Sequence, residues 1–175
     1  MNQSKTFYLV RHGLATHSKR GYGMRKLTTA LLPEGRPAIQ RLAEALMGVE
    51  DSINISSEII RCRETSAIIT EITGKGFIFD KRLNEDYHET IGQIRDRVVS
   101  FMNEVNAYPQ KNIIVCTHGV IIAAIKNLLL TGTFVTSQLA DHPLTGELMI
   151  IDDRNIKSIS FNTASTSPRW LVEKK

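Results

Sequence analysis

Two His-Gly pairs stand at the ends of apolar runs in this sequence. The triplet RHG at 11–13 follows the run 6–10, and HG at 118–119 follows NIIVCT at 112–117. A histidine can attack an electrophile or carry a proton, while an arginine stays charged and offers paired donors to phosphate or carboxylate. A glycine lets the backbone approach a ligand closely. These residue types are suited to binding and transferring an anionic group.

An arginine and a carboxylate stand at comparable places elsewhere in the chain. Arg61 comes four residues after Ser57, at the start of a predicted helix whose N-terminus favours an anion. Glu85 follows a third short apolar run, within RLNED, and is a candidate general acid. Asp86 and Glu89 lie close enough in the sequence to take that role in its place.

A metal site is a second interpretation of the two histidines. His17 falls in a predicted loop, and His88 and His142 fall in polar stretches without a neighbouring cysteine or acidic cluster. A protein zinc site needs three or four ligands at suitable spacing. Because no third ligand has such spacing, the sequence predicts no metal and no cofactor.

The elements that must position these residues alternate between strand-like and helix-like patterns, which predicts an α/β fold. Such a chain forms a three-layer α/β/α sandwich with a mostly parallel central sheet, here with an antiparallel edge. The carboxyl ends of parallel strands meet at one edge of the sheet, where ligands bind. We predict strands at 6–10, 52–57, 76–79, 112–117, 146–152 and 155–161, and helices at 33–47, 61–73, 91–107 and 119–130.

The spacing of apolar residues also predicts which face of each helix is buried. For the first helix and the second helix the predicted buried residues are Ile39, Leu42, Ala43, Leu46 and Met47, and Ala67, Ile68, Ile69 and Ile72.

Composition is that of a globular protein, with 175 residues of which 42% are hydrophobic and 23% charged. We predict one domain over 1–175, with a peripheral tail from about 163 that Trp170 anchors. The sequence shows neither a signal-peptide pattern nor an apolar stretch long enough for a bilayer, which predicts a cytoplasmic protein. Cys62 and Cys116 are therefore predicted to be reduced. No sequence feature indicates an oligomeric state.

The net charge of +4 favours an anionic partner. Nucleic-acid binding usually requires a basic stripe with stacking aromatic residues, and the sequence has none, so a small or protein-borne anionic substrate is predicted, with no nucleic-acid or membrane partner. One local concentration of charge, the basic loop 19–26, is either a contact for a second anionic group of the substrate or a solvated loop. Its basic residues are Lys19, Arg20, Arg25 and Lys26.

Taken in order, the motifs YLVRHG, SSEIIRCRETSAII, RLNE and IIVCTHGVI resemble those of the histidine phosphatase superfamily, also called the phosphoglycerate mutase-like family, over about 6–152. The resemblance implies that His12 is the nucleophile that takes the phosphoryl group. It implies that Glu85 protonates the leaving oxygen and then activates water. It also implies a metal-independent phosphate pocket formed by Arg11, Arg61, His118, Gly13 and Gly119.

The length of one connection bears on which activity the resemblance implies. The segment 86–117 holds little more than one predicted helix and one strand, whereas mutase-type members of the family generally carry a larger insertion that covers the site. An open site admits water. The predicted function is therefore a phosphatase for phosphate monoesters or phosphorylated protein side chains, acting through a phosphohistidine on His12. Phosphoglycerate mutase-type phosphoryl transfer and a catalytically weak phosphate-recognising module are the alternatives.

Overall fold

The computed structural model describes residues 5–134 and 136–162. This part of the chain contains a single sheet with helices on both faces. The strands are β1 (Thr6–Arg11), β2 (Ser52–Ser56), β3 (Ile78–Phe79), β4 (Asn112–Thr117), β5 (Glu147–Asp152) and β6 (Asn155–Ser160). The helices are α1 (Arg36–Leu46), α2 (Ile60–Thr73), α3 (Ile91–Ala107) and α4 (Gly119–Thr131). Short 3-10 turns lie at Gly23–Arg25, Pro33–Gly35, Lys81–Leu83 and Thr136–Gln138.

The sheet is mostly parallel, as predicted. Its strand order is β3-β2-β4-β1-β5-β6. The first four strands of that order run parallel to their neighbours. The last two complete the sheet as an antiparallel edge, with β5 against β1 and β6 against β5. The predicted three-layer fold with an antiparallel edge is thereby confirmed.

The central strands bury side chains on both faces. On one face Leu9 and Val115 pack with α3 and α4 around Phe101. On the other face Val10 and Ile114 pack with α1 and α2. Because side chains alternate along a strand, burial on both faces produces the continuous apolar runs seen in the sequence. It also holds the ends of these strands rigidly.

The register between β1 and β4 determines where the two histidines lie. Arg11 is paired with Thr117 at the end of both strands. The amide of His12 extends the ladder by one residue, donating to the carbonyl of Thr117 at 3.2 Å. His12 and His118 therefore leave adjacent parallel strands at the same level of the sheet.

Two helix boundaries follow from local chemistry. Thr90 caps α3 by accepting from the amide of Gln93, whose side chain accepts from the amide of Thr90 in return. Helix α2 ends at Gly74, whose left-handed backbone (φ 73°) is the conformation that glycine adopts without strain.

Three predicted details are wrong. Met47 lies beyond the last residue of α1 and is 57% exposed. Ala67 is exposed because α2 turns a partly polar face inward, including Arg61 and Thr65. The third strand is only Ile78–Phe79, an exposed sheet edge rather than a four-residue strand.

Three further predictions concern the C-terminal tail, membrane-spanning helices and the two cysteines. The predicted tail from about 163, with Trp170, lies outside the described residues. Among the residues that the structure does describe, no helix is both long enough and apolar enough to cross a membrane. Cys62 and Cys116 are buried, unbridged thiols.

Candidate active site

His12 is held as a neutral imidazole with one nitrogen turned into the site. The side chain is 1% exposed. Its Nδ1 lies 2.8 Å from the carbonyl of Gly13, which can only accept, so Nδ1 carries the proton and Nε2 keeps its lone pair. Burial, aided by the neighbouring Arg61, lowers the pKa of His12 to about 3. The unprotonated Nε2 is thus available as a nucleophile at neutral pH.

Arg61 lies at the centre of the site, wholly buried in the first turn of α2. Its Nε donates to Nε2 of His12 at 3.2 Å. Its Nη2 is paired with the carboxylate of Glu85 and lies 3.2 Å from Nδ1 of His118. Its Nη1 donates to the carbonyl of Lys26 at 2.5 Å. One guanidinium therefore joins both imidazoles, a carboxylate and the basic loop.

His118 follows β4 and occupies the N-cap position of α4. Arg61 can only donate, so Nδ1 of His118 accepts and its Nε2 carries the proton. That Nε2 donates to the hydroxyl of Ser57 at 2.9 Å, and the hydroxyl donates to Oδ1 of Asn84 at 2.8 Å. Burial, with the neighbouring His12 and Arg61, holds the pKa of His118 well below its ordinary value. The two imidazole centroids are 5.2 Å apart.

The three candidate carboxylates have different partners. Glu85 is paired with Arg61, and its Oε2 lies 3.9 Å from Nδ1 of His118. Asp86 is paired with Lys26 at 3.0 Å. Glu89 is paired with Arg97 at 2.9 Å. Burial raises the pKa of Glu85, while Arg61 and Lys26 oppose that rise. The structure thus brings Glu85 to the histidines and leaves the other two carboxylates paired with Lys26 and Arg97.

Arg11 lies at the end of β1, and its guanidinium is held by the segment that precedes β5. Its Nη1 donates to the carbonyl of Pro143 at 2.7 Å and lies 3.2 Å from Nδ1 of His142. Its buried Nε is without a hydrogen-bond partner. A buried cationic donor without an acceptor costs free energy, so an anion bound there restores the missing hydrogen bond.

Gly13 and Gly119, the two predicted substrate-binding glycines, allow other chain segments to pack closely against the site. The amide of Gly13 donates to Oγ1 of Thr65 at 3.1 Å, and a Cβ at this position would lie 2.9 Å from Ile39. A Cβ on Gly119 would lie 2.7 Å from the ring of His142. Both positions require glycine because another chain segment approaches closely.

The basic loop 19–26 covers one side of the site. Lys19, Arg20 and Arg25 are exposed, whereas Lys26 supplies its carbonyl to Arg61 and its ammonium to Asp86. Between them, the ring of Tyr22 lies against the guanidinium of Arg61, with Cζ 4.2 Å from the ring centroid. The Tyr22 hydroxyl lies 3.4 Å from Nε2 of His12.

Sequence reasoning missed four contributors to this site: Tyr22, Ser57, Asn84 and His142. Two of them had a usable signal. Ser57 directly follows β2, and Asn84 directly precedes Glu85, so both belong to the carboxyl edge of the sheet. The contacts of Tyr22 and His142 join loops to strands distant in sequence, which no local pattern encodes.

A cavity of about 410 Å³ adjoins the Glu85 side of the site. Its lining mixes charged, polar and apolar side chains: Leu27, Lys81, Arg82, Asn84, Glu85, Tyr87, Glu89 and Arg97. Among the residues described, no group of three or more histidine, cysteine or acidic side chains is arranged to hold a metal ion. The site proper presents cationic donors and neutral imidazoles, which together suit a dianionic phosphoryl group.

Comparison with known proteins agrees with this chemistry. The family model of the histidine phosphatase superfamily (branch 1) matches residues 7–88. A curated relative from Hydrogenobacter thermophilus, provisionally named phosphoserine phosphatase 2, is 25% identical and the match covers 73% of this chain and 79% of that protein.

Solved structures of the same fold include phosphatases and a phosphoglycerate mutase. A protein from Escherichia coli provisionally named as an alpha-ribazole-5'-P phosphatase has a TM-score of 0.76 at 16% identity, covering 91% of this chain and 97% of that one. A phosphoglycerate mutase from Bacillus anthracis has a TM-score of 0.67 at 12% identity, covering 92% and 94%. These structural likenesses establish the fold of the chain.

Proposed function

We propose that the chain is a member of the histidine phosphatase superfamily, whose family model matches residues 7–88, and that it hydrolyses phosphate monoesters through a phosphohistidine formed on His12. One observation carries the proposal. The buried, neutral imidazole of His12 has its proton fixed on Nδ1 by the Gly13 carbonyl, and its free Nε2 lies beside the guanidinium of Arg61. A nucleophile and a phosphate-binding donor thus share one position.

In the first step the lone pair of Nε2 attacks phosphorus and the bond to the leaving oxygen breaks. Charge on the phosphoryl oxygens is stabilised by Arg61 and by the Nε of Arg11, while His118, held by Ser57, orients Arg61 through its Nδ1. The leaving oxygen takes a proton from Glu85, whose carboxyl lies on the cavity side of the site. Burial raises the pKa of Glu85, which favours the protonated acid that this step needs.

In the second step water attacks the phosphohistidine. Glu85, now a carboxylate, accepts a proton from that water as the phosphorus to nitrogen bond breaks. Phosphate leaves and the electron pair returns to Nε2 of His12. The chain's own side chains supply every proton and charge in this scheme, so we propose that the reaction is metal-independent.

Hydrolysis is favoured over mutase chemistry by the short connection that follows Glu85. The chain passes from Glu85 to α3 in the short segment 86–90, and α3 leads to β4. A connection of this length is too short to form an inserted lid over the cavity. Water therefore reaches the intermediate, and it competes with return of the phosphoryl group to a bound product.

The substrate class follows from the cavity. Its volume of about 410 Å³ accommodates a leaving group of metabolite size. A phosphorylated small molecule is therefore the proposed substrate. A phosphorylated protein side chain is the second candidate, because the cavity opens to the surface beside exposed residues such as Tyr87.

The test compares the wild type with His12→Ala and His12→Gln. We expect hydrolysis of p-nitrophenyl phosphate by the wild type and a fall of at least 10³-fold, an order-of-magnitude figure for loss of a nucleophile, in both variants. Brief reaction followed by alkaline quenching should trap an acid-labile phosphohistidine in the wild type alone. Full activity in either variant would rule out His12 as the nucleophile. Phosphate binding without turnover by the wild type would favour a recognition module.

A substrate panel separates the remaining candidates. It should contain phosphoserine, alpha-ribazole phosphate, a sugar phosphate, a phosphohistidine protein and 3-phosphoglycerate, each scored by kcat/KM. The relatives' names place the first two compounds on the panel. Interconversion of phosphoglycerate isomers at a rate above their hydrolysis would identify a mutase instead.

A further inference from the structure

The attacking nitrogen of His12 faces two hydrogen-bond donors rather than one. The Nε of Arg61 lies 3.2 Å from Nε2 of His12, and the hydroxyl of Tyr22 lies 3.4 Å from the same atom. A neutral imidazole has a single lone pair on that nitrogen. Both donors must therefore release Nε2 before its lone pair can reach phosphorus.

Tyr22 is placed in this position by its own loop and by Arg61. Gly21 and Gly23 flank it with left-handed backbone conformations, at φ 71° and 51°. The face of its ring lies 4.2 Å from Cζ of Arg61, an arrangement that attracts a cation to an aromatic ring. The same guanidinium binds the loop again through the carbonyl of Lys26. The hydroxyl is thus aimed at the nucleophile by two separate contacts.

The phenol of Tyr22 keeps its proton at neutral pH. Burial raises the pKa of Tyr22, and the nearby Arg61 only partly opposes that rise. A protonated phenol is a donor without charge, so it can hydrogen-bond to a phosphoryl oxygen without repelling it.

We propose that Tyr22 is a further catalytic residue, whose hydroxyl donates to the lone pair of His12 before substrate binds and to a phosphoryl oxygen once substrate is bound. The inference rests on the function proposed above. A phosphoryl group that enters between His12 and Tyr22 takes the place of the nitrogen as acceptor. The proton stays on the phenol throughout, and the lone pair thereby released from Nε2 forms the bond to phosphorus.

The critical variant is Tyr22→Phe, which keeps the ring over Arg61 and removes only the hydroxyl. We expect kcat/KM for p-nitrophenyl phosphate to fall about 10- to 100-fold, the usual scale for one hydrogen bond to a charged group. Tyr108→Phe is the matched control, because its hydroxyl binds Glu104 on α3 and touches no residue of the site. The control should retain wild-type activity, and thermal unfolding should verify that both variants fold.

Inhibition by vanadate separates a contact with the phosphoryl group from an indirect effect on the loop. Vanadate adopts the five-coordinate geometry of the transition state, so a donor used there contributes to its binding. We expect Tyr22→Phe to raise the inhibition constant of vanadate by about the same factor by which kcat/KM falls. The proposal is overturned if kcat/KM falls less than threefold or rises, or if it falls while vanadate inhibition is unchanged.

These results are distinguishable from failure of the proposed function. If the wild type does not hydrolyse phosphate esters, the function fails. Calorimetric titration with inorganic phosphate then tests the contact by itself, and an affinity equal in the wild type and Tyr22→Phe would overturn it. If hydrolysis depends on His12 but not on the Tyr22 hydroxyl, only the present inference fails.

Discussion

The carboxylate of Glu85 is paired with Nη2 of Arg61, the same nitrogen that lies 3.2 Å from Nδ1 of His118. The carboxylate proposed as the general acid thus holds the guanidinium that an incoming phosphoryl group needs. A dianionic phosphate competes with Glu85 for Arg61. Displacement would remove one of the cations that oppose the rise in the pKa of Glu85, which favours the protonated carboxyl that the proposed first step needs.

Replacement of the acid should affect substrates according to their leaving group. We expect Glu85→Gln to lower kcat/KM by about 10²- to 10⁴-fold for an alkyl phosphate such as glycerol phosphate, whose leaving oxygen requires a proton. The loss in the phosphorylation step should be much smaller for p-nitrophenyl phosphate, because nitrophenolate leaves without a proton. Burst kinetics that report phosphohistidine formation measure this difference.

Asp86→Asn serves as the matched control for that prediction. Asp86 is adjacent in sequence but paired with Lys26. It should retain the wild-type ratio between the two substrates. Equal losses for both substrates in Glu85→Gln, or selective loss in Asp86→Asn, would contradict the assignment of Glu85 as the acid.

The Arg61–Glu85 pair should also contribute to the free energy of unfolding. Arg61→Met leaves the Glu85 carboxylate partly buried without its cation, and we expect it to destabilise the fold by about 3 kcal/mol, the scale for breaking a buried pair. Adding Glu85→Gln removes the stranded charge, so the double variant should regain part of that stability while staying inactive. Urea unfolding of the two single variants and the double variant at pH 7 gives the coupling. Strict additivity would show that the pair does not act as a unit.

Much of this site could be predicted because its residues directly follow strands, and the pairing of those strands in the sheet determines where the residues lie. Apolar runs identify β1 and β4, and parallel pairing of such strands brings the residues after them to one edge. Arg61 is found in the same way, at the helix that follows β2. Glu85 required the resemblance as well, since two further carboxylates lie nearby in sequence.

The remaining parts could not be predicted because loop geometry places them. Tyr22 and His142 reach the site through segments with no apolar period, and their partners lie in other elements. Their positions depend on left-handed glycines and on close approaches that emerge only in three dimensions. The misplaced core residue Met47 has a related cause: the apolar period continues one residue past the point where α1 ends.

Stability should depend on pH through His12. Its pKa is about 3 in the folded protein and near 6.5 in an unfolded chain, so the unfolded state binds more protons between these values. Stability therefore rises with pH across that window and is lost as pH falls from about 6.5 towards 3. Between pH 7 and 5 His12 alone should account for a loss of about 2 kcal/mol in the free energy of unfolding.

Urea unfolding at pH 7 and pH 5 tests this dependence with His12→Gln beside the wild type. The variant has no group to titrate at this position, so its stability should change less between the two pH values. His118 contributes in the same direction in both proteins, because its pKa is also lowered by burial. An equal pH dependence in wild type and variant would show that His12 is protonated alike in the folded and unfolded states.

Gly119→Ala should disturb the site through His142. The added Cβ would lie 2.7 Å from Nδ1 of His142, the atom beside Nη1 of Arg11. The ring must move, at a cost of about 1–3 kcal/mol for overpacking, and Arg11 then loses one of the two contacts that orient it. We expect kcat/KM for p-nitrophenyl phosphate to fall about 10-fold, the scale for weakening one oriented donor in the transition state.

Two further variants test whether displacement of the His142 ring causes the effects of Gly119→Ala. Gly92→Ala places the same methyl group in the first turn of α3, where its nearest neighbour is Oγ1 of Thr90 at 3.8 Å, so it should leave activity unchanged and cost no stability. Combining Gly119→Ala with His142→Ala removes the clash, so the double variant should be more stable than Gly119→Ala alone. Its activity should match that of His142→Ala, because in both proteins Arg11 is held by the carbonyl of Pro143 without the imidazole. A double variant no more stable than Gly119→Ala would mean that the methyl group acts on the start of α4 instead.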